Sequence, residues 1–352
     1  MNIYNLIDNT PNTLPEGKAD FLLACSVTLT CKIEGITQAG IVGKIPLTPT
    51  LDAEFLSTGR VFSLDDIAET ASGIPTPGLL TRAVYQLCGF SHVGILDLGF
   101  ETKPQQCEVY DFGIKPSPSI TDVTLFQAKD IFEKGRTFGR SYKPKGDYLI
   151  LGESTPSGTT TAQCAMSALG FETEGLFASS FKESPLMIKK HTIEASLAKL
   201  DDSMSIFEKL SHTGDNMLLF VAGFILEASR RFRVVLGGAT QMATALFIAD
   251  TLSQRYQIHY DYRNIYLATT SWIARDAHSD INALLGRLSF RVKALYSDFT
   301  YEDALISVLK LYDEGEAKEG VGAGAALTYA AACGVTQEEI TRKVEAFMRG
   351  EE

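Results

Sequence analysis

The chain has no run of five or more Lys or Arg, no CxxC pair, no HxxxH or HxH spacing and no apolar stretch of membrane length. Each absence excludes something. Thirty-two Lys and Arg stand against 43 Asp and Glu, a net charge of −11. An acidic chain without a basic patch repels nucleic-acid phosphates and anionic lipid, so neither nucleic acid nor a membrane is an expected partner. The longest apolar run, residues 217–226, stops at Glu227. A bilayer needs about 20 such residues, so this run reads as a buried helix. The first eight residues, Met1-Asn2-Ile3-Tyr4-Asn5-Leu6-Ile7-Asp8, show neither the basic nor the apolar region of an export signal, and a cytoplasmic location is expected. Cys25, Cys31, Cys88, Cys107, Cys164 and Cys333 then read as reduced thiols. His92, His191, His212, His259 and His278 are equally scattered, so no metal site is expected.

What is present is a large apolar content, 45% of 352 residues, enough for an extended core. Apolar periodicity predicts strands near 21–27, 92–98, 147–151, 232–236 and 264–269. It predicts helices near 79–87, 123–134, 161–169, 186–200, 217–229, 240–252, 304–312 and 320–332. Repeated strand–turn–helix units argue for an α/β fold: a doubly wound, mainly parallel sheet flanked by helices. A smaller, mostly helical second domain is expected from the terminal segments. Residues 1–140 are expected to pack partly around a core of residues 141–352, with the boundary in the irregular zone near 135–146. In such sheets ligands bind beyond the carboxyl ends of the strands.

Two segments carry candidate chemistry. In the first, a predicted strand runs into Gly152-Glu153-Ser154-Thr155-Pro156-Ser157-Gly158-Thr159-Thr160-Thr161-Ala162 and then a helix. Backbone N–H groups at such a helix start form a phosphate cradle. The segment lacks the lysine of a Walker A loop. A tight turn with threonine caps fits it as well, and the charge of Glu153 opposes an anion and suits orienting a hydroxyl or a lysine. The second segment is Lys318-Glu319-Gly320-Val321-Gly322-Ala323-Gly324. Its spacing is GxGxG and a charged stretch precedes it, which argues against a dinucleotide fingerprint. It places Glu319 either at a point of close backbone approach or on a solvated helix end. Gly237-Gly238 forms a third strand–glycine–helix turn, and Lys189 lies on the predicted amphipathic helix.

Together these residues resemble the nicotinate-nucleotide–dimethylbenzimidazole phosphoribosyltransferase family, in its divergent branch of archaeal and cyanobacterial hypothetical proteins. The resemblance is carried by residues 152–162 and by Glu319-Gly320-Val321-Gly322-Ala323. Gly214-Asp215, Leu236-Gly237-Gly238 and the turn Ile74-Pro75-Thr76-Pro77 support it. It implies transfer of phosphoribose from nicotinate mononucleotide to an aromatic nitrogen base. That base is dimethylbenzimidazole, a related benzimidazole or adenine; the products are an α-ribazole phosphate and nicotinate, in cobamide nucleotide-loop assembly. Glu319 is then the general base, with Glu153 in the other glutamate-bearing loop. Gly152, Gly158, Thr159, Thr160, Lys189, Asp215, Gly237, Gly238, Gly320 and Gly322 are implied on the nucleotide side, and Pro75, Thr76 and Leu80 on the base side. No cofactor and no metal are implied, and the family is dimeric. Two departures matter. Ser157-Gly158-Thr159-Thr160 stands where the better-known branch has Gly-Asn-Thr-Thr, and Val321 replaces a hydroxyl residue.

The chemistry suits such residues. Nicotinate leaves a pyridinium riboside as a neutral ring and needs no general acid. The attacking azole has one N–H proton to lose, which a single carboxylate can accept. A nucleotide-dependent oxidoreductase would need GxGxxG after the first strand, which is not there. A non-catalytic nucleotide-binding protein remains the other alternative.

Overall fold

A computed structural model describes residues 1–65 and 67–351. Its frame is a sheet of eight strands: β1 (Ile3–Asn5), β2 (Ala19–Cys25), β3 (His92–Asp97), β4 (Val109–Asp111), β5 (Tyr148–Ser154), β6 (Val234–Gly237), β7 (Ile265–Thr269) and β8 (Lys293–Ser297). Every residue of β2, β5, β6 and β7 is buried. Strands covered on both faces read as continuous apolar runs, which is why periodicity found these four. Phe21, Leu23 and Cys25 point into one core; Leu22 and Ala24 point into the other.

The strand order is β1-β8-β7-β6-β5-β2-β3-β4. Only β1 is antiparallel to its neighbour. From β2 the chain winds through β3 to β4; from β5 it winds the other way to β8. The winding reverses between β2 and β5, so the ends of these two strands, Cys25 and Ser154, flank the crevice where such sheets bind ligands. Residues 1–140 contribute β1–β4 and later residues β5–β8 to this one sheet.

Helices Ala128–Ser141, Gly158–Ala168, Asn216–Ala228 and Thr240–Tyr256 cover one face. Helices Thr48–Thr58, Gly78–Cys88, Ala323–Ala332 and Gln337–Met348 cover the other. Thr48–Thr58 and Gln337–Met348 both pack on Gly78–Cys88, with the Phe55 and Phe347 rings edge to face at 5.4 Å, in one core with this face of the sheet. Among the described residues no helix is long and apolar enough to cross a membrane. The cysteines are free thiols.

Several elements differ from expectation. The helix expected at 123–134 starts at Ala128 and runs to Ser141. Residues 307–312 form a 3-10 segment rather than an α-helix. The last glycine-rich helix begins at Ala323, because Gly320, Val321 and Gly322 take φ of 152°, 53° and 68°, outside the right-handed helical region. β5 continues through Ser154, so Gly152 and Glu153 belong to a strand and the loop shrinks to three residues. Thr48–Thr58 escaped notice because every residue from Thr48 to Leu56 is buried, Asp52 and Glu54 included, leaving no polar face to mark the period.

Helices Ala128–Ser141 and Asn216–Ala228 cross with almost no gap. A Cβ on Gly223 would lie 2.1 Å from the Phe132 carbonyl oxygen, and one on Gly135 would lie 2.1 Å from that of Phe220. Gly223→Ala is therefore expected to destabilise the protein by about 1–3 kcal/mol or more, read as a lower denaturant midpoint. An unchanged midpoint would show that the helices separate without cost.

Candidate active site

The site lies beyond the carboxyl ends of β2, β5, β6 and β7. Its geometry begins with glycines. Cβ atoms on Gly152 and Gly237 would each come 3.1 Å from the Gly322 Cα, so both strand ends press directly on the Gly320–Gly322 turn. The Val321 N–H donates to the Glu153 carbonyl at 2.8 Å, and Thr81 Oγ1 donates to the Val321 carbonyl at 2.8 Å. Val321 is a β-branched residue held at positive φ by these contacts. The two glutamate segments, far apart in sequence, thereby become neighbours.

Glu319 is held by four donors. Its Oε1 accepts from Gly320 N at 3.2 Å and Gly324 N at 3.1 Å. Its Oε2 accepts from Thr269 Oγ1 and Thr270 N, both at 3.1 Å. Gly324 can reach it because a Cβ there would strike the Thr269 carbonyl carbon at 2.1 Å. Glu153 is 3% exposed and differently served. Gln241 Nε2 donates to its Oε1 at 3.2 Å, while Oε2 has no protein partner. Burial, then the charges of Glu319, Asp215 and Asp52, push Glu153 up to about 8. Burial pushes Glu319 up to about 7 against the pull of its four donors. Two carboxylates in one desolvated space cannot both ionise freely.

Both glutamates line two adjoining cavities. The first, with about 580 Å³ of empty space, has Ile74, Pro75, Thr76 and Pro77 along one wall and Asp52 and Ser154 at its polar end. The second, about 510 Å³, is walled by Thr155, Ser157, Gly158, Thr159, Thr240 and Lys318. Two helix N-termini open into it, those of Gly158–Ala168 and Thr240–Tyr256. Buried Thr155 Oγ1, Ser157 Oγ and Thr240 Oγ1 find no protein partner there, nor does Gln241 Oε1. Helix N-termini and hydroxyls favour an anion at this end, beside the two glutamates that share the lining. Residues 37–40 roof both cavities. Gln38 fastens this roof, its Nε2 donating to the Ser180 carbonyl at 2.6 Å and to Glu316.

Lys189 lies just behind the second cavity. It is 3% exposed, and its Nζ reaches only the Ala178 carbonyl, at 3.4 Å. No carboxylate among the described residues pairs with it; burial and the Lys318 charge lower it to about 8. Lys318 Nζ sits 3.3 Å from Asp276 and donates to the Phe181 carbonyl at 3.2 Å. Among the described residues no three His, Cys, Asp or Glu side chains are grouped as metal ligands.

The expected residues thus divide. Glu153, Glu319, Gly158, Thr159, Gly320, Pro75 and Thr76 line the cavities. Gly152, Gly237 and Gly322 serve the close approach beneath them, and a Cβ on Gly238 would meet Met242 Cγ at 2.8 Å. Thr160 is fully buried in its helix. Asp215 caps helix Asn216–Ala228 through Leu218 N at 2.9 Å and accepts from Thr161 Oγ1. Its expected ligand role gives way to a structural one that also raises Glu153. Leu80, 1% exposed, belongs to the core rather than the pocket wall. Sequence reasoning missed Asp52, Ser154, Gln241, Lys318 and the roof. Lys318 and Ser154 were within reach as neighbours of the two glutamates; the others carried no local signal.

No family model matches the chain. It is 33% identical over 336 residues to a UPF0284 protein of Sulfurisphaera tokodaii, covering 94% of each chain. It is 32% identical over 336 residues to a UPF0284 protein of Archaeoglobus fulgidus, again covering 94% of each. Its fold is that of the nicotinate-nucleotide-dimethylbenzimidazole phosphoribosyltransferase of Thermus thermophilus, with a TM-score of 0.59 at 16% identity over 93% of this chain and 83% of that one. A second structure, of CobT from the same organism, gives a TM-score of 0.58 at 15% identity over 95% of this chain and 85% of that one.

Two charge effects are testable without a substrate. Glu153 titrates higher in the fold than its ordinary 4.5, so between these values the folded state holds more protons than the unfolded one. Its contribution to stability is greatest below that window and is lost as pH rises through it to about 8. Glu153→Gln is expected to gain on the order of 1–3 kcal/mol over wild type above that window and nothing near pH 4.5. Thermal melts across pH check this, and a gap that does not grow with pH refutes it. Lys189→Met removes a buried cation without a counter-charge, so at neutral pH the ligand-free variant is expected to melt no lower than wild type.

Proposed function

This chain belongs to the UPF0284 protein family, and we propose that it is a phosphoribosyltransferase that moves phosphoribose from nicotinate mononucleotide to an aromatic nitrogen base, as in cobamide nucleotide-loop assembly. One observation carries the reading: two cavities of different character meet at a shared pair of carboxylates, Glu153 buried and Glu319 part-buried. The phosphate fits the second cavity, where helix N-termini and hydroxyls supply donors, with Lys318, paired to Asp276, in the wall and Lys189 behind it on the Ala178 carbonyl. The acceptor ring fits between the proline wall and the glutamates. C1′ then lies at the junction, with the entering and leaving rings held in line, an arrangement that itself removes much of the barrier.

The bond from C1′ to the pyridinium nitrogen breaks, and its electron pair neutralises the nicotinate ring. The acceptor's ring nitrogen bonds to C1′, and its N–H proton passes to a carboxylate. We assign that proton to Glu319, following the resemblance. The buried negative charge also favours the positive character that develops at C1′. A second assignment is favoured by one observation: Glu153 Oε2 alone lacks a protein partner, whereas both Glu319 oxygens are occupied. A homodimer acting in the cytoplasm completes the proposal.

Incubation with nicotinate mononucleotide and a benzimidazole, following nicotinate release, tests the reaction. Nucleotide binding without release for any base would favour a binding protein instead. A base must be ionised, so with Glu319 in that role kcat/KM falls as pH drops below about 7. Glu319→Gln is expected to lose about 10²–10⁴-fold and the acidic limb with it. Full activity in that variant, with the loss moved to Glu153→Gln and a limb near 8, would transfer the role. Lys189→Met is expected to raise KM for the nucleotide at least about tenfold, since charged hydrogen bonds contribute about 1.5–3 kcal/mol.

A further inference from the structure

Asp52 is 2% exposed and stands at the polar end of the first cavity. It comes from helix Thr48–Thr58, and two hydroxyls from other parts of the chain point at it. Thr76 Oγ1 donates to its Oδ1 at 2.7 Å, and Ser154 Oγ donates to its Oδ2 at 2.7 Å. A hydroxyl has one hydrogen, so an ionised Asp52 consumes the only donor that each of these groups owns. What Thr76 and Ser154 retain are lone pairs. Gly78 N uses one of those on Thr76, at 3.1 Å, and among the described residues no group uses those on Ser154. Thr155 Oγ1 and Gln241 Nε2 elsewhere in the lining can still donate, so it is this end of the cavity, at Thr76 and Ser154, that accepts hydrogen bonds and does not donate.

A ring whose far edge is only C–H and methyl would desolvate these oxygens and leave them unpaired, which is costly for buried groups. We propose that the preferred acceptor is a heteroaromatic base with an exocyclic hydrogen-bond donor, an amino or hydroxyl group that meets Ser154 Oγ and Thr76 Oγ1. This rests on the phosphoribosyl-transfer reading and narrows its substrate. One N–H of the base goes to the carboxylate pair, and the exocyclic donor goes to the wall that Asp52 polarises. Asp52 is a positioning residue here: it touches the hydroxyls, not the ring.

Matched pairs isolate the donor: adenine against purine, and hydroxybenzimidazole against methylbenzimidazole. Their equilibrium binding to the whole protein is measured by calorimetry near pH 8, where Asp52, raised only to about 6 by burial, is ionised. Nicotinate release is followed in parallel. The donor-bearing member of each pair is expected to bind at least about tenfold more tightly, the order of discrimination a hydrogen-bonding pocket supplies. Thr76→Val and Ser154→Ala should each shrink that ratio. Asp52→Asn, whose amide can donate to one hydroxyl and free its hydrogen for the ligand, should weaken or reverse it. Equal affinity within both pairs, or no binding of any base, overturns the inference. Discrimination in binding with no nicotinate release upholds it and sinks the transfer reaction instead.

Discussion

The site depends on one contact, the approach of the Gly152 strand end to the Gly322 turn. A side chain on either residue would crowd the facing backbone, at 3.1 Å from Gly152 and 2.9 Å from Gly322, and strain the bond from the Val321 N–H to the Glu153 carbonyl. That contact brings two carboxylates, one buried and one part-buried, to the same pair of cavities. Burial raises both toward neutrality, and the charge of Glu319 raises Glu153 further, into the range in which a carboxyl group can exchange protons with an azole. The strained turn at Val321 belongs to the same arrangement, since the surrounding bonds hold it where an isolated chain would not stay.

Around this pair the fold divides the chemistry. Parallel strands end together, and the helices that follow β5 and β6 begin at one place, so their N-termini converge on one cavity. The other cavity is closed by the Pro75–Pro77 turn and by residues 37–40, which come from the amino-terminal part of the chain. Buried charge is arranged unequally. Glu319 is surrounded by donors, whereas Lys189 has only a carbonyl. A buried ammonium without an anion is poor for stability and well suited to receiving a phosphate.

Much of this was legible. Strands buried on both faces announce themselves as apolar runs, which is why β2, β5, β6 and β7 were found, and with them the doubly wound sheet. Glu153, Glu319, Gly158 and Thr159 stood out because each lies in a glycine-rich segment leading into a predicted helix, where backbone N–H groups are free to meet a ligand. Asp52 was not legible. It is an acid in a helix without a polar face, and its importance comes from Thr76 and Ser154, 24 and 102 residues away. Gly152, Gly237 and Gly322 were recognisable as unusual, but a glycine that lets a ligand approach and one that lets a second backbone approach look alike in a sequence.

The sequence by itself determined the fold class, the two glutamate segments and the family, because apolar periodicity and local motifs are short-range properties. Only the tertiary structure decided that the two glutamate segments touch, that Asp215 caps a helix and Leu80 lies in the core, and that Thr76 and Ser154 both donate to Asp52. Those facts rest on contacts between distant residues, and on burial, which alone sets how much a charge costs.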